Sequence, residues 1–329
     1  MSNTFIKATK VVNTALGVLM RETVLPQLVW RDAAGDFAGV YGDTVTIRVP
    51  AYIVARTRAL RSSGPLVMDD LSETSVDVKL DTDVYKGINV TDENLTLDIV
   101  DFSAQVLSPI LRSIVVGVED ELAGSISDAT YALTGTFSEA APLHSVLDAR
   151  RQLNDCYVPS SGRALVVGSQ IEQIILEDLA SRPVAAPAEQ NALTDATIST
   201  NYGGFHVVLA NGLAPDEAYA IHKTAFVLSS RAPFVPDGAS WGATQSNGGF
   251  AIRVIKDYDP LYVRDRCIGS SWIGSDVVLD QGTLDVDGKF VPKGGTGFAP
   301  EVVAGTPVPI EADDGAPILV RAVKLTLGD

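Results

Sequence analysis

The sequence predicts an α+β protein, because strand-like and helix-like segments follow one another without the regular βαβ rhythm of a parallel-sheet fold. Apolar residues recur every four positions from Phe102 to Ile126, as on one face of a long helix. Val45, Ile47 and Val49 instead alternate with polar residues, as along a half-buried strand. With 329 residues, 46% of them hydrophobic and 20% charged, the chain can bury a large core and form two lobes.

The first part of the chain is predicted to form an arm and a hairpin. Apolar residues near helical spacing indicate an amphipathic helix over 4–24, which an extended arm follows. Apolar and polar residues alternate over 43–49 and again over 76–80, which indicates the two legs of a hairpin. The connection 51–75 is rich in polar and turn-forming residues, so we expect a long projecting loop.

A long helix is predicted over 101–129. Pro109 is compatible with it in an early turn or at a kink. Glu119, Asp120 and Glu121 give this helix an acidic face.

The second part of the chain mixes shorter elements. Helices are predicted over about 143–153 and 169–179. Strands are predicted at 164–167, 205–209, 218–222, 225–228, 250–255, 261–268 and 318–327. The last of these closes a tail rich in glycine, proline and acidic residues, and it needs an edge to pair with, on its own subunit or on a neighbour.

Composition excludes several classes of function. The formal net charge of -16 repels phosphate backbones, so we do not expect direct sequence-specific binding of nucleic acid. The two cysteines, Cys156 and Cys267, are too few for a disulfide framework or a zinc site of the usual spacing. No segment has the run of roughly 18–20 apolar residues that spans a membrane, so no membrane partner is expected.

No pattern predicts a catalytic, cofactor or metal site. His144, His206 and His222 share no metal-ligand spacing, and structural roles are favoured for them. Gly168 and Ser169, between a strand and a helix, could cradle an anion, but a Ser N-cap explains them more simply.

The segment 285–288, Asp-Val-Asp-Gly, has the start of a calcium loop. It lacks the glutamate that such a loop needs at its twelfth position, so an Asp-Gly turn is favoured.

Charge is distributed unevenly along the chain. Through residue 70 there are eight basic and six acidic residues, whereas 71–130 contains three basic and twelve acidic residues. A basic loop and an acidic helix on one chain can attract each other head to tail, which favours repeated contacts between copies and closed shells. Most single surface charges are merely solvated. The candidate exceptions are Arg56, Arg58 and Arg61 on the loop, and Glu119, Asp120 and Glu121 on the helix.

The order of these segments resembles that in the Hong Kong 97 type of tailed-phage major capsid protein. Within that type, it is similar to the coat-protein branch, whose scaffold is a separate protein. The resemblance covers roughly residues 1–275. ALVVGSQIEQIIL is similar to the family's strand, polar turn and helix, and YGGFHVVLANGL resembles its Gly-Phe-x-Val strand with a small polar turn. AYAIHKTAFVLSSRAP and GGFAIRVIKDYDPLYVRDRCIGSSWIG resemble its closing strands.

The resemblance implies a division of the chain into five parts. These are an N-terminal arm (1–30), the E-loop hairpin and P-domain with the long spine helix (31–145), the A-domain (146–245), closing strands that return to the P-domain (246–275) and a C-terminal extension (276–329). The extension has no counterpart in the family and is a candidate cement between neighbouring subunits.

The function implied is that of a non-enzymatic major capsid protein, assembled in the host cytoplasm into the virion. Its copies would form hexamers and pentamers in an icosahedral head shell around double-stranded DNA, with a portal and a possible decoration protein as partners. Family members that cross-link use a lysine on the E-loop. Here the loop carries arginines and no lysine before Lys79, so noncovalent contacts are expected. No long helical segment precedes residue 4, so a separate scaffolding protein is implied.

Two other functions remain open at the level of sequence. An encapsulin-like nanocompartment shell would share the fold and enclose a cargo protein. A hydrolase would need a deep pocket with converging polar groups, for which the sequence nominates no nucleophile and base.

Overall fold

The computed structural model describes residues 24–31, 44–49, 60, 61, 65, 68, 74–93, 102–181, 201–247, 250–285, 287–292, 296–303, 306–311 and 317–328. The chain divides into two compact units. Unit 1 comprises Met1–Val45, Asp77–Ser127 and Phe226–Asp276, and unit 2 comprises Thr46–Val76, Asp128–Ala225 and Val277–Asp329. Helices and strands are mixed throughout, which confirms the predicted α+β class. The five-part division expected from the sequence stays a prediction.

Unit 1 is built from a long helix and a sheet. The helix α1 spans Ser108–Asp128. The strands are β3 (Thr82–Thr91), β8 (Phe226–Arg231), β9 (Trp241–Asn247), β10 (Phe250–Asp259) and β11 (Arg264–Val277). They form a sheet in the order β3-β11-β10-β9, and β8 also pairs with β11. The β10–β11 and β3–β11 pairs are antiparallel.

The helix α1 buries the stripe that its sequence predicts. Ile110, Ile114, Val118, Leu122 and Ile126 are at most 2% exposed, because a spacing of four residues places them on one helix face. The prediction of a helix over 101–129 is confirmed for 102–128, with one change of winding.

The change of winding lies at the start of α1. Residues Ser103–Leu107 form a π-helix, and the α-helix begins at Ser108, directly before Pro109. Proline cannot donate the usual hydrogen bond to the carbonyl four residues earlier, and its ring clashes with that carbonyl. A wider π turn before the proline is a known adjustment of helices to such a disturbance.

Two glycines let the helix and the sheet of unit 1 approach closely. A Cβ atom on Gly269 of β11 would lie 2.7 Å from side-chain atoms of both Ile110 and Ile114. A Cβ on Gly117 of α1 would lie 2.7 Å from Val84 of β3. The helix therefore packs on the sheet at positions where no side chain fits.

The described residues of unit 2 form a five-stranded sheet and two helices, α2 (Pro142–Asp155) and α3 (Ser169–Ser181). The sheet order is β4-β16-β7-β5-β6. The strands are β4 (Tyr131–Phe137), β5 (Arg163–Val167), β6 (His206–Leu209), β7 (Glu217–His222) and β16 (Leu319–Leu327). The core contains apolar residues of both helices and of this sheet, among them Leu153, Ile171, Leu165 and Val323, none of which is exposed to solvent.

The strand β16 is internal to the sheet of unit 2. It runs parallel to β4 on one side and antiparallel to β7 on the other. The strand predicted near the end of the chain is therefore confirmed, and it pairs within its own subunit.

Within the part of the chain that the structure describes, three pairs of strands form small separate sheets. They are β1 (Thr44–Val49) with β2 (Thr74–Lys79), β12 (Gly282–Leu284) with β13 (Phe290–Pro292), and β14 (Thr296–Val303) with β15 (Thr306–Glu311). The first pair confirms that the two strands predicted on either side of the long connection exist and pair with each other. In the turn between β12 and β13, the Asp285 carboxylate accepts the N–H groups of Asp287 and Lys289 at 3.0 and 2.8 Å, so the turn favoured by the sequence is confirmed.

The sequence prediction missed or misplaced some strands. It assigned no structure to β3, β4 or β9, and it began a strand at Leu261 where the structure has a turn. That turn connects β10 to β11, which begins only at Arg264. Pro260 within it cannot donate a hydrogen bond to a sheet and favours a turn.

Candidate functional site

The arginine cluster of the β1–β2 connection is only partly within the described residues. Arg56 and Arg58 lie outside them. Arg61 is exposed, in a turn beside Leu60, whose side chain is 98% exposed. Arg61 thus lies in a segment that presents both a charge and an apolar side chain to solvent.

The three acidic residues of α1 differ in their environments. Glu119 is half-buried, and its carboxylate accepts the backbone N–H of Val24 at 2.5 Å. Glu121 is exposed and accepts a hydrogen bond from the Thr82 hydroxyl at 3.2 Å. Asp120 is exposed. Glu119 is therefore partly engaged inside unit 1, and Asp120 and Glu121 are the residues that face solvent.

His222 has a structural role, as the sequence favours. Its Nε2 atom lies 3.0 Å from the Ser161 carbonyl oxygen, and its Nδ1 atom accepts the backbone N–H of Thr224 at 3.3 Å. Burial lowers the pKa of His222, and the nearby Arg321 and Arg163 lower it further. The ring is thus held neutral, with both nitrogen atoms in hydrogen bonds of the fold.

Arg163 joins the end of α2 to the start of β5. Its guanidinium donates to the carbonyl oxygen of Pro159 at 2.8 Å, to the side chain of Asn154 at 2.8 Å and to the carbonyl oxygen of Val158. Burial lowers its pKa, with Arg150 adding to the effect. These contacts close the helix end on the following strand.

Neither thiol is activated. Burial raises the pKa of Cys156 to about 12, and the Asp155 carboxylate adds to the rise. Burial likewise raises the pKa of Cys267 to about 11. A nucleophilic cysteine needs a lowered pKa, so both thiols have structural roles.

The candidate anion cradle at Gly168 is filled by the protein's own backbone. The N–H groups of Gln170 and Ile171 donate to the Pro215 carbonyl oxygen at 3.1 and 3.4 Å. A Cβ on Gly168 would lie 2.1 Å from the Ala214 carbonyl oxygen, so only glycine permits this close approach. The helix begins at Ser169 itself, so Ser169 is its first residue and not its N-cap.

Two further kinds of feature were sought in the described part of the chain, metal-ligand clusters and membrane-spanning helices. Among those residues, no group of three or more His, Cys, Asp or Glu side chains could hold a metal ion. None of the described helices combines the length and the apolar character needed to cross a bilayer.

The sequence prediction missed an exposed apolar surface at the turn between β10 and β11. Tyr258, Leu261, Tyr262 and Val263 are between 43% and 79% exposed. The available signal was the run of aromatic and apolar residues beside Asp259-Pro260, a turn sequence that a buried strand would not contain. We name these four residues the apolar tip.

Comparison with known proteins identifies the family. The model of the family described as P22 coat protein, gene protein 5, matches residues 1–236, more than two thirds of the chain. Among curated proteins, no relative matches.

Three solved structures with a similar fold come from phages. A structure from Mycobacterium phage Che8 has a TM-score of 0.60 at 16% identity, covering 92% of this chain and 91% of that one. The capsid of cyanophage P-SCSP1u has a TM-score of 0.57 at 10% identity, covering 100% and 91%. The procapsid of satellite phage P4 with its size determination (Sid) protein has a TM-score of 0.50 at 9% identity, covering 100% and 94%.

These findings agree with the resemblance to Hong Kong 97-type capsid proteins, and they do not favour a nanocompartment shell or a hydrolase. The protein is a structural component of the virion and not an enzyme. It assembles with copies of itself into a shell. The chain belongs to the P22 coat protein family and is a major capsid protein of a phage.

Proposed function

We propose that this chain builds an icosahedral head shell around double-stranded DNA, as hexamers and pentamers held by noncovalent contacts alone. The single observation that carries the noncovalent mode is the lysine-free connection between β1 and β2. From Thr44 to Val78 the chain contains four arginines and no lysine, and Lys79 follows at the very end of β2.

The arginine cluster supplies the alternative to a covalent link. An acidic surface on a neighbouring copy would face Arg56, Arg58 and Arg61. That surface would include Asp120 and Glu121 on α1, which are both exposed. Such contacts between charges guide the approach of subunits and fix their register, and salt weakens them. The uneven charge distribution of the chain supports the proposed contacts, as does the exposure of Arg61, Asp120 and Glu121.

A separate scaffolding protein is the second part of this proposal. The P4 procapsid, whose subunit shares the fold, contains a size determination protein. A net charge of -16 on every copy opposes spontaneous assembly, and an additional protein that binds several copies would offset that repulsion. A portal and a decoration protein complete the expected set of partners.

The covalent state of assembled particles tests the noncovalent mode. Particles purified after expression with the phage's other head proteins are boiled in detergent and separated on a denaturing gel. We expect one band at the 34.8 kDa of the single chain. A ladder of higher species that resists boiling and reducing agent would contradict the proposal, and particles treated with an amine-reactive cross-linker provide the reference ladder.

A further inference from the structure

A series of hydrogen bonds in unit 2 links the connection before β5 to the segment after β11. The Nε2 atom of His222 lies 3.0 Å from the Ser161 carbonyl oxygen, and its Nδ1 atom lies 2.9 Å from the Thr224 hydroxyl. That hydroxyl accepts a hydrogen bond from Nη1 of Arg321 at 2.9 Å. Arg321 also donates to both carboxylate oxygens of Asp280, at 2.7 and 2.5 Å. We name the four linked side chains, His222, Thr224, Arg321 and Asp280, the latch.

The partners of His222 fix the position of the hydrogen on its ring. A carbonyl oxygen can only accept, so Nε2 carries the hydrogen that Ser161 accepts. The backbone N–H of Thr224 can only donate, and it lies 3.3 Å from Nδ1, so Nδ1 keeps its lone pair. The Thr224 hydroxyl donates to Nδ1 while it accepts from Arg321. A neutral ring with its hydrogen on Nε2 therefore satisfies all of these groups at once.

A proton on Nδ1 would break this arrangement. The new N–H would face the backbone N–H of Thr224, and two donors cannot form a hydrogen bond with each other. The Thr224 hydroxyl would have to turn, because its hydrogen would no longer have the Nδ1 lone pair as an acceptor. A buried donor that loses its acceptor is costly, so the closed latch and a charged His222 are incompatible.

The charges around the ring also oppose a proton. Arg163 in β5 and Arg321 in β16 both lower the pKa of His222 through their charges, and burial lowers it further. Lys223 adds a third cation on the same turn, where its side chain is exposed. The acidic member of the latch is Asp280, and Arg321 already holds both of its carboxylate oxygens. A protonated His222 would therefore join a cluster that is already cationic.

The latch lies where the chain leaves unit 2 and where it returns. The chain passes into unit 1 directly after Ala225, and it re-enters unit 2 one residue before Val278. Inside unit 2 these two connections are joined, because the Val278 N–H donates to the Ala225 carbonyl oxygen at 2.9 Å. Thr224 and Asp280 flank that hydrogen bond in the sequence, and both belong to the latch. Opening of the latch would therefore loosen both connections together.

We propose that protonation of His222 opens the latch, so that acid loosens the two connections through which unit 2 joins the rest of the chain. Near neutral pH, the latch holds the turn 222–225 and the segment 278–280 in place. In acid, the Thr224 N–H loses its acceptor and the Ala225–Val278 hydrogen bond opens more often. Every copy has the same latch, so a shell would respond to acid in all of its subunits. The inference does not depend on how the copies are held together.

Local hydrogen exchange in free, full-length subunits tests the latch. Mass spectrometry follows exchange of the Thr224 and Val278 amides at about pH 7.5 and about pH 5, corrected for the intrinsic effect of pH. We expect their protection to fall by about tenfold, because the open form takes up its proton near the ordinary pKa of about 6.5. The Val323 amide of β16 should still be protected when both have exchanged. Simultaneous exchange of all three would indicate global unfolding and would overturn the proposal.

A matched pair of substitutions identifies the group that responds to acid. His222→Gln presents an amide N–H to Ser161 and an amide oxygen to Thr224, but it takes up no proton. In this variant the acid-induced rise in exchange at Thr224 and Val278 should be absent. His206→Gln, at an exposed position of β6, should behave as the unchanged chain does. A full acid response in His222→Gln would show that another group causes it and would refute the latch.

The ring can also be observed without any substitution. In protein that contains isotope-labelled histidine, the nitrogen chemical shifts distinguish the two neutral forms of the ring from the charged one. We expect His222 to carry its hydrogen on Nε2 near neutral pH, and to become protonated over the same pH range in which exchange at Thr224 and Val278 increases. A hydrogen on Nδ1 near neutral pH, or protonation without faster exchange at these two amides, would contradict the inference.

Discussion

The buried side chain of His222, at the end of β7, predicts that unit 2 loses stability in acid. His222 is hydrogen-bonded through both ring nitrogen atoms, and its pKa is lowered by burial and by the two nearby arginines. In the unfolded chain a histidine titrates near its ordinary pKa of about 6.5. As the pH falls through that value, the unfolded state binds a proton that the folded state does not, so the free energy of unfolding decreases.

The pH dependence of unfolding tests this account of His222. With His222→Gln, the thermal stability should change less between about pH 7 and pH 5 than in the unchanged protein, because the proton uptake is lost. His206→Gln, at an exposed position of β6, should leave the dependence as it is. An unaltered dependence in His222→Gln would mean that other groups cause it.

Thiol reactivity provides a second prediction at the scale of residues. At about pH 8 only a minute fraction of Cys156 or Cys267 is thiolate in the folded protein, because burial raises their pKa values to about 12 and about 11. Iodoacetamide should therefore modify neither residue in native protein and both after unfolding in urea, as intact mass shows. A Ser160→Cys variant, exposed after α2, is the control that should react at once.

Among the elements, the strand β16 lies inside the sheet of unit 2, between β4 and β7. Leu319, Ala322 and Val323 have no exposed surface, and Leu325 has 1%. Lys324 contacts Glu217 of β7 at 2.6 Å. Burial raises the pKa of Glu217, but hydrogen bonds from Lys324 and Tyr219 outweigh it and the net shift is downward. Apolar packing and one ion pair thus hold β16 against β7.

A matched pair of substitutions in β16 measures this contribution. Val323→Asn places an amide in the core and should destabilise unit 2 by about 3 kcal/mol, through lost packing and an unsatisfied polar group. Thr326→Asn, at an exposed position of the same strand, should change stability by less than about 0.5 kcal/mol. Urea unfolding followed by circular dichroism measures both. Equal effects would mean that burial does not govern stability along this strand.

The sequence predicts an element well when buried apolar residues recur regularly along it. The helix α1 and the strand β16 were predictable, because each buries a regular set of apolar residues. Every residue of β3 except Val90 is exposed or half-buried, so the strand has no buried apolar stripe that would reveal it. In β4, Tyr131, Leu133 and Phe137 do alternate, but the glycine at 135 interrupts the pattern. The apolar tip escaped prediction because the strand predicted from Leu261 includes three of its four residues, and only pairing in space shows that β11 begins at Arg264.

At the scale of the whole molecule, the uneven distribution of charge predicts how copies attract each other. Replacing Arg56, Arg58 and Arg61 with glutamate should prevent shell assembly while free subunits still fold, because attraction to an acidic neighbour becomes repulsion. Electron microscopy and light scattering measure assembly, and thermal unfolding confirms the fold. Normal assembly of the triple variant would refute the proposed role of these arginines.

A compensating change makes this test specific. Asp120→Arg with Glu121→Arg should partly restore assembly of the triple variant, if these exposed carboxylates are among the partners. Glu119 is left unchanged because it accepts a hydrogen bond from Val24 within its own subunit. Replacing the exposed pair Glu139 and Asp237 with arginine gives the same change in net charge at other sites, and it should not restore assembly.

The position of β16 between β4 and β7 also has a consequence for how the protein is made. Phe137, the last residue of β4, and Leu319, the first of β16, are separated by about 180 residues. At roughly 5–20 residues per second, a ribosome needs about 10–40 s to add them. During that time β4 emerges without its neighbour, and the sheet of unit 2 cannot close until β16 has left the ribosome. A nascent chain therefore cannot yet form a complete subunit, and only finished chains can join a growing shell.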